Sequence, residues 1–319
     1  MPSRKRSFFI IWLFILILFP IFATGCHSGK ANQEAESNRN LKVYTTVYPL
    51  KDFTEKIGSP YVSVESVYPP NVDEHTYEPS QKDLLAMMDA DLFFHIGFGL
   101  EGFVDKTKTI MEDEGVKVFA LGEEIDLERD QKHYENRESN EHTHDFIDPH
   151  IWIDPIYAKQ LAERITVHLS AMLPEHEDIF NQNFAELASQ LDELHEQFIS
   201  LTNEAKHDTI IVSHAAFHYW EWRYNIKQLS VAGINPSQEP SQKQLQNLID
   251  TAKKKNIQYI LVEQNVSNRL VDVVADEAGL EKMSIHNLAT LTEKEIEQGE
   301  DYLSIMKTNL LTLEKILNE

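Results

Sequence analysis

The strongest constraint on this chain is an unbroken apolar stripe between Glu175 and Lys206. Phe180, Phe184, Leu187, Leu191, Leu194, Phe198 and Leu201 recur there at alternating spacings of four and three. That period puts all seven on one face of a single helix. Neither Gly nor Pro interrupts the run, so at about 1.5 Å per residue the helix reaches on the order of 45 Å. A rod of this length is either a coiled-coil segment or an internal strut. Strand-and-helix patterns on both sides of it need a surface to pack against, which favours the strut.

Those flanking patterns are α/β. Short apolar runs (Leu41 to Val47, Leu92 to Ile96, Thr209 to Val212, Tyr259 to Val262) alternate with amphipathic stretches, and a last helix ends near Leu317. Strands that alternate with helices imply parallel sheets. Ser80 followed by Asp83 reads as a capping box, and Asp154 with Pro155 as an N-cap with proline at the first helical position. The segment Glu78 to Leu84 (EPSQKDL) returns as Glu239 to Leu245 (EPSQKQL), which supports two related lobes. The expected architecture is an α/β protein of two lobes with parallel sheets, at 41–173 and 208–319, joined by a single long rigid helix at 174–207.

The beginning of the chain is of another kind. Arg4, Lys5 and Arg6 precede an apolar run from Phe8 to Phe22, and small residues lead to Cys26. A basic start, a greasy centre and a small-residue end make residues 1–25 an export signal. The alternative is an uncleaved membrane helix, since the run is a little short of the ~20 residues that span a bilayer. Cys26 is the single cysteine and follows Ala23-Thr24-Gly25, so it has no internal disulfide partner, and the segment resembles a bacterial lipobox. Acylation there would anchor the chain on the outer face of the cytoplasmic membrane. Residues 26–40 are polar and aperiodic, as a tether would be. The formal net charge of −23 leaves no basic stripe to hold phosphates, so nucleic acid is not an expected partner.

Fourteen histidines in an acidic chain invite a metal hypothesis. His168, His176, His195 and His207 lie in or beside helical stretches without a partner at ligand spacing; His27 falls in the tether and His95 ends an apolar run. His75, His150 and His214 each sit in a polar turn between an extended segment and a helix, where a concave site can form. Their separations of 75 and 64 residues carry no local metal signature. Histidine beside carboxylates suits first-row metals and helix caps alike.

The surrounding motifs say more. EHTYEP at 74–79, DPHIWIDP at 148–155 and SHAAFHY at 213–219, in this order around the long helix, resemble the metal-binding receptors of bacterial zinc and manganese ABC importers; Leu291-Thr292-Glu293-Lys294-Glu295 and Gly299-Glu300-Asp301-Tyr302 fit the same pattern. The resemblance spans nearly the whole chain after the signal. It implies a metal held between the lobes, by His75 and His150 from the first and His214 from the second, and delivery to an ABC permease and its ATPase subunit by a monomeric receptor. Manganese members carry a glutamate at the place of His214, and imidazole suits zinc better than manganese, so Zn2+ is the expected cargo. The stretch 123–148, with ten acidic and three basic residues and His133, His142 and His144, resembles the charged loop of zinc members or is a plain acidic insertion. Where other members place a late carboxylate this chain has Ala289, which leaves water, Glu74 or His286 as a fourth ligand. His218, four residues after His214, is expected to support the site or pack beside it.

Other functions compete. A manganese-binding sibling and a surface adhesin stay within this type of lipoprotein. Three histidines with an open position could also activate water in a zinc hydrolase, but the chain has no His-Glu-x-x-His helix and no nucleophile signature. The expectation is a receptor, not an enzyme.

Overall fold

A computed structural model of the chain describes residues 40–127, 147–237, 239–263 and 269–319. The export signal, Cys26, the tether up to residue 39 and residues 128–146 of the acidic stretch lie outside the described residues. Among the described residues no helix is long and apolar enough to cross a membrane.

The first lobe is built on β1 (Leu41–Thr45), β2 (Val62–Ser66), β3 (Leu92–His95) and β4 (Lys117–Ala120), all parallel in the order β2-β1-β3-β4. Helices α1 (Tyr48–Gly58), α2 (Gln81–Met87) and α3 (Val104–Asp113) make the crossovers. Central β3 reads Leu-Phe-Phe-His and is buried throughout, while edge strand β2 reads Val-Ser-Val-Glu-Ser with alternate residues exposed. A parallel sheet covered on both faces selects for the first pattern, and a half-covered edge accepts the second.

A 3-10 turn at Ile151–Ile153, then α4 (Pro155–Met172) and α5 (Glu177–Glu204), lead to the second lobe. There β5 (Thr209–Val212), β6 (Lys227–Ser230), β7 (Tyr259–Glu263) and β8 (Glu281–Ile285) repeat the topology in the order β6-β5-β7-β8, again all parallel. The helices of this half are α6 (His218–Tyr224), α7 (Gln242–Lys255), α8 (Arg269–Ala278), α9 (Glu293–Gln298) and α10 (Tyr302–Asn318).

The apolar stripe becomes the 28-residue helix α5, about 42 Å long. Phe180, Leu187, Leu191, Leu194 and Phe198 are buried, with Phe184 and Leu201 partly so. α5 packs on α4, α1 and α10, so the stripe is covered within the chain and the strut alternative holds. The caps form as read from the residues. Ser80 and Asp83 close a capping box on α2, Ser241 and Gln244 close another on α7, and the Asp154 side chain accepts from Ile156 N and Tyr157 N at the start of α4. The repeated EPSQK segment is therefore a real structural repeat at two loop-to-helix junctions.

One hydrophobic core runs from Phe53 and Phe94 through Trp152 and Leu161 to Phe217 and Trp220, and a smaller one around Ile260 and Val271 fills the outer side of the second sheet. Polar tips also cross between the halves. Trp152 Nε1 donates to the Asn287 carbonyl at 2.6 Å, Trp220 Nε1 to the Ile153 carbonyl at 2.9 Å, and Tyr302 Oη to the Trp152 carbonyl at 2.7 Å.

Candidate metal centre

In open parallel sheets ligands gather outside the carboxyl ends of the strands, and the polar groups here do so. His75 lies in the connection after β2, His150 in the one after β4, His214 directly after β5, and Glu263 is the last residue of β7. The turns that present the first two histidines use one device. Asp73 Oδ1 accepts from His75 N at 3.0 Å and Asp148 Oδ1 from His150 N at 3.0 Å, an Asx turn that aims the residue two positions on.

The three rings converge. His75 Nε2 and His150 Nε2 are 3.1 Å apart, and His214 Nε2 and His150 Nε2 are 3.4 Å apart. Glu74 Oε1 stands wider, 3.9 Å from His75 Nε2 and 4.0 Å from His150 Nε2. Among the described residues these four form the one His, Cys, Asp and Glu group with metal-ligand geometry, their ligand atoms all within 4.8 Å of one another. A tetrahedral zinc with bonds of about 2.05 Å sets its nitrogens roughly 3.3 Å apart, close to the spacing of the rings. All four side chains are nearly sealed from solvent.

Each of two rings is oriented by a buried carboxylate. His150 Nδ1 faces Asp148 Oδ1 at 2.7 Å and His214 Nδ1 faces Glu263 Oε1 at 2.6 Å, so each Nδ1–H donates to its carboxylate and each Nε2 is turned to the common centre. Asp148 also takes His218 Nδ1 on its other oxygen at 2.9 Å, and Ser213 Oγ donates to Glu263 Oε1 at 2.6 Å.

The electrostatics are uneven. Burial pushes His75 down to about 2, helped by the adjacent rings, and burial lowers His150 despite Asp148. Burial also disfavours charge on His214, but Glu263 outweighs it and lifts the ring to about 8. Burial raises Asp148 and Glu263, yet the imidazoles beside them win and both end below the usual carboxylate range. Burial raises Glu74 to about 7. Near neutral pH the metal-free centre therefore offers two open lone pairs, on His75 and His150, and a proton on His214 that an incoming cation must displace.

The other histidines separate cleanly. His218 supports Asp148 from the start of α6 and shares no helical face with His214, which precedes that helix. His168 pairs with Glu124 and stacks on Phe119, His176 stacks on Tyr61, and His195 bonds the Tyr224 hydroxyl. His286 is not at the centre: its Nδ1 accepts from Leu288 N at 2.7 Å and its Nε2 faces Glu295 at 3.4 Å. Ala289 contributes only backbone, its carbonyl accepting from Tyr48 N at 2.9 Å. Glu74 is the group that stands beside the rings. Sequence reasoning missed Asp148 and Glu263. The first was readable as an Asx residue two before a histidine, the second as a charged residue ending an apolar strand.

Similarity to known proteins extends over most of the chain. Residues 43–316 match the family described as zinc-uptake complex component A, periplasmic. The chain is 31% identical over 313 residues to the zinc-binding lipoprotein AdcA of Streptococcus pneumoniae, covering 97% of this chain and 61% of that protein. It is 30% identical over 309 residues to the high-affinity zinc uptake system protein ZnuA of Bacillus subtilis, covering 96% and 97%. The crystal structure of the Zn(II)-bound ZnuA-like domain of Streptococcus pneumoniae AdcA superimposes with a TM-score of 0.73 at 30% identity, over 88% of this chain and 100% of that one. The chain thus spans less than two thirds of the length of the AdcA relative, but nearly all of its ZnuA-like domain and of the Bacillus subtilis protein. It belongs to the zinc-uptake complex component A family.

Proposed function

We propose that this chain is the extracytoplasmic zinc-binding component of an ABC importer. It captures Zn2+ between its two lobes with His75, His150, His214 and Glu74 as ligands and hands the ion to the membrane permease and its ATPase subunit. Residues 1–25 are its export signal and Cys26 its lipid anchor, with 26–40 as tether, lobes at 41–173 and 208–319, and the linking helix at 174–207; it works as a monomer.

The observation that carries this reading is the approach of three Nε2 atoms from three distant loops to 3.1 and 3.4 Å. Three buried ring nitrogens brought to one point from distant loops make a ready set of ligands for a shared cation. Three nitrogens and one carboxylate oxygen suit zinc more than manganese, which prefers a larger set of oxygens. Zinc is also the ligand in the names of the relatives. The core that runs through α4 and α5 limits how far the lobes can part, so release depends on what docks at the mouth.

The test is a titration of the purified protein with zinc, manganese and cadmium. One zinc per chain, bound more tightly than manganese and lost in His150→Ala, is expected. Manganese bound more tightly than zinc, or stoichiometric zinc retained when all three histidines are replaced by alanine, would refute the reading. Ester or peptide hydrolysis that disappears in His150→Ala would replace it with an enzyme.

A further inference from the structure

Within its own lobe the Glu74 carboxylate accepts a hydrogen bond from its own backbone N–H. A second donor reaches it from the other lobe. Asn287 Nδ2 donates to Glu74 Oε1 at 3.0 Å, the same oxygen that faces His75 and His150. Asn287 is itself held at two points: its Oδ1 accepts from Ala289 N at 3.0 Å and its carbonyl accepts from Trp152 Nε1 at 2.6 Å. The turn is locked further by Leu288, fully buried with φ of 63°, a left-handed conformation that branched or bulky residues adopt only where surroundings impose it. His286 N and carbonyl are pinned by Asn309 at 3.0 and 2.8 Å.

From these contacts we infer that Asn287 is the positioning residue for the fourth ligand, directing a single oxygen of Glu74 at the ion and so keeping the site four-coordinate and selective for zinc. The inference rests on the ligand set proposed above. An amide N–H can only donate, so it occupies one lone pair of Oε1 and leaves another for the cation. It adds no negative charge, and the centre keeps one carboxylate among three rings. A second carboxylate at this place would supply an extra oxygen and favour metals of higher coordination number. Because Asn287 reaches across from the β8–α9 connection, the bond also ties the two lobes at the ligand itself.

The test uses purified protein loaded with Co2+ as a spectroscopic stand-in for zinc, with zinc and manganese affinities measured alongside. Asn287→Asp keeps the acceptor for Ala289 N, removes the donor to Glu74 and sets a second carboxylate beside it. It should weaken the intense visible bands of four-coordinate cobalt and narrow the zinc-over-manganese preference by about tenfold or more. Asn287→Ala should lower zinc affinity by about tenfold to a hundredfold, the usual cost of losing a group that orients a ligand. Wild-type cobalt bands and an unchanged zinc-to-manganese ratio in Asn287→Asp would overturn the inference. Glu74→Ala separates the two levels. If it leaves the cobalt spectrum unchanged, the ligand set itself is wrong; if it alters the spectrum while both Asn287 variants do not, only the role of Asn287 fails. A purely structural contribution would lower the melting temperature and leave the bands in place.

Discussion

Glu263 Oε1 lies 2.6 Å from His214 Nδ1, and both side chains are closed to solvent. Two consequences follow from the pair, because the carboxylate both orients the ring and stabilises its charged form. The ring is lifted to about 8 while its neighbours His75 and His150 are lowered.

Zinc affinity is expected to rise with pH up to about 8 and then level off. Below that point His214 carries a proton in the metal-free protein that zinc must expel, and below about 7 Glu74 adds a second. Calorimetric titration in buffers of different ionisation enthalpy would count about one proton released between pH 7 and 8, and more below. Glu263→Gln should move the onset down toward ordinary histidine values. An affinity that stays flat from pH 6 to 8 contradicts the coupling.

Stability of the zinc-free protein is expected to fall as pH rises from about 6.5 to 8. A folded value of about 8 for His214, above the ordinary histidine value of 6.5, means that its contribution is complete below the unfolded value and is lost through the folded one. Glu74, lifted to about 7, acts with the same sign at slightly lower pH. His75 and His150, which are lowered, act with the opposite sign near pH 6.5, where their unfolded forms still bind protons, and drop out as pH rises further. Urea midpoints taken at close pH intervals would show the decline, and in Glu263→Gln it should largely vanish.

Asp148 serves two histidines, with His150 on one oxygen at 2.7 Å and His218 on the other at 2.9 Å. Asp148→Ala should reduce zinc affinity by about tenfold to a hundredfold, since it frees the His150 ring to take the wrong tautomer. His218→Ala should cost less, because His218 acts only through Asp148. Equal losses in the two variants, measured by competition with a chromophoric chelator, would place His218 on the ion instead.

Leu191 is fully buried on the inner face of α5, and Leu191→Ala should cost about 3 kcal/mol of stability through lost burial and an unfilled cavity. Denaturant unfolding would report it as a lower midpoint. The zinc stoichiometry should stay at that of the parent protein, since α5 contributes no residue to the centre.

What the sequence determined by itself was everything governed by local periodicity and local hydrogen bonding. The stripe from Phe180 to Leu201 set α5, the capping residues Ser80, Asp154 and Ser241 set the starts of three helices, and four apolar runs set β1, β3, β5 and β7 to within two residues, while β2, β4, β6 and β8 carried no such run. The run Leu41 to Val47 outlasts β1 because Thr46 and Val47 already turn toward the proline at the start of α1. Motif resemblance singled out His75, His150 and His214, although their separations say nothing of proximity. Tertiary structure alone decided what stands with them. Two sheets of the same topology present their carboxyl ends to a common space, and long-range packing there selects Glu74, draws in Asp148 and Glu263, and brings Asn287 across from the other lobe. It also turns His286 away, because a left-handed Leu288 brings its own N–H back onto that ring. Periodicity fixes which face a residue occupies on its own element, but a ligand set depends on where separate elements end in space, and only the packed core specifies that.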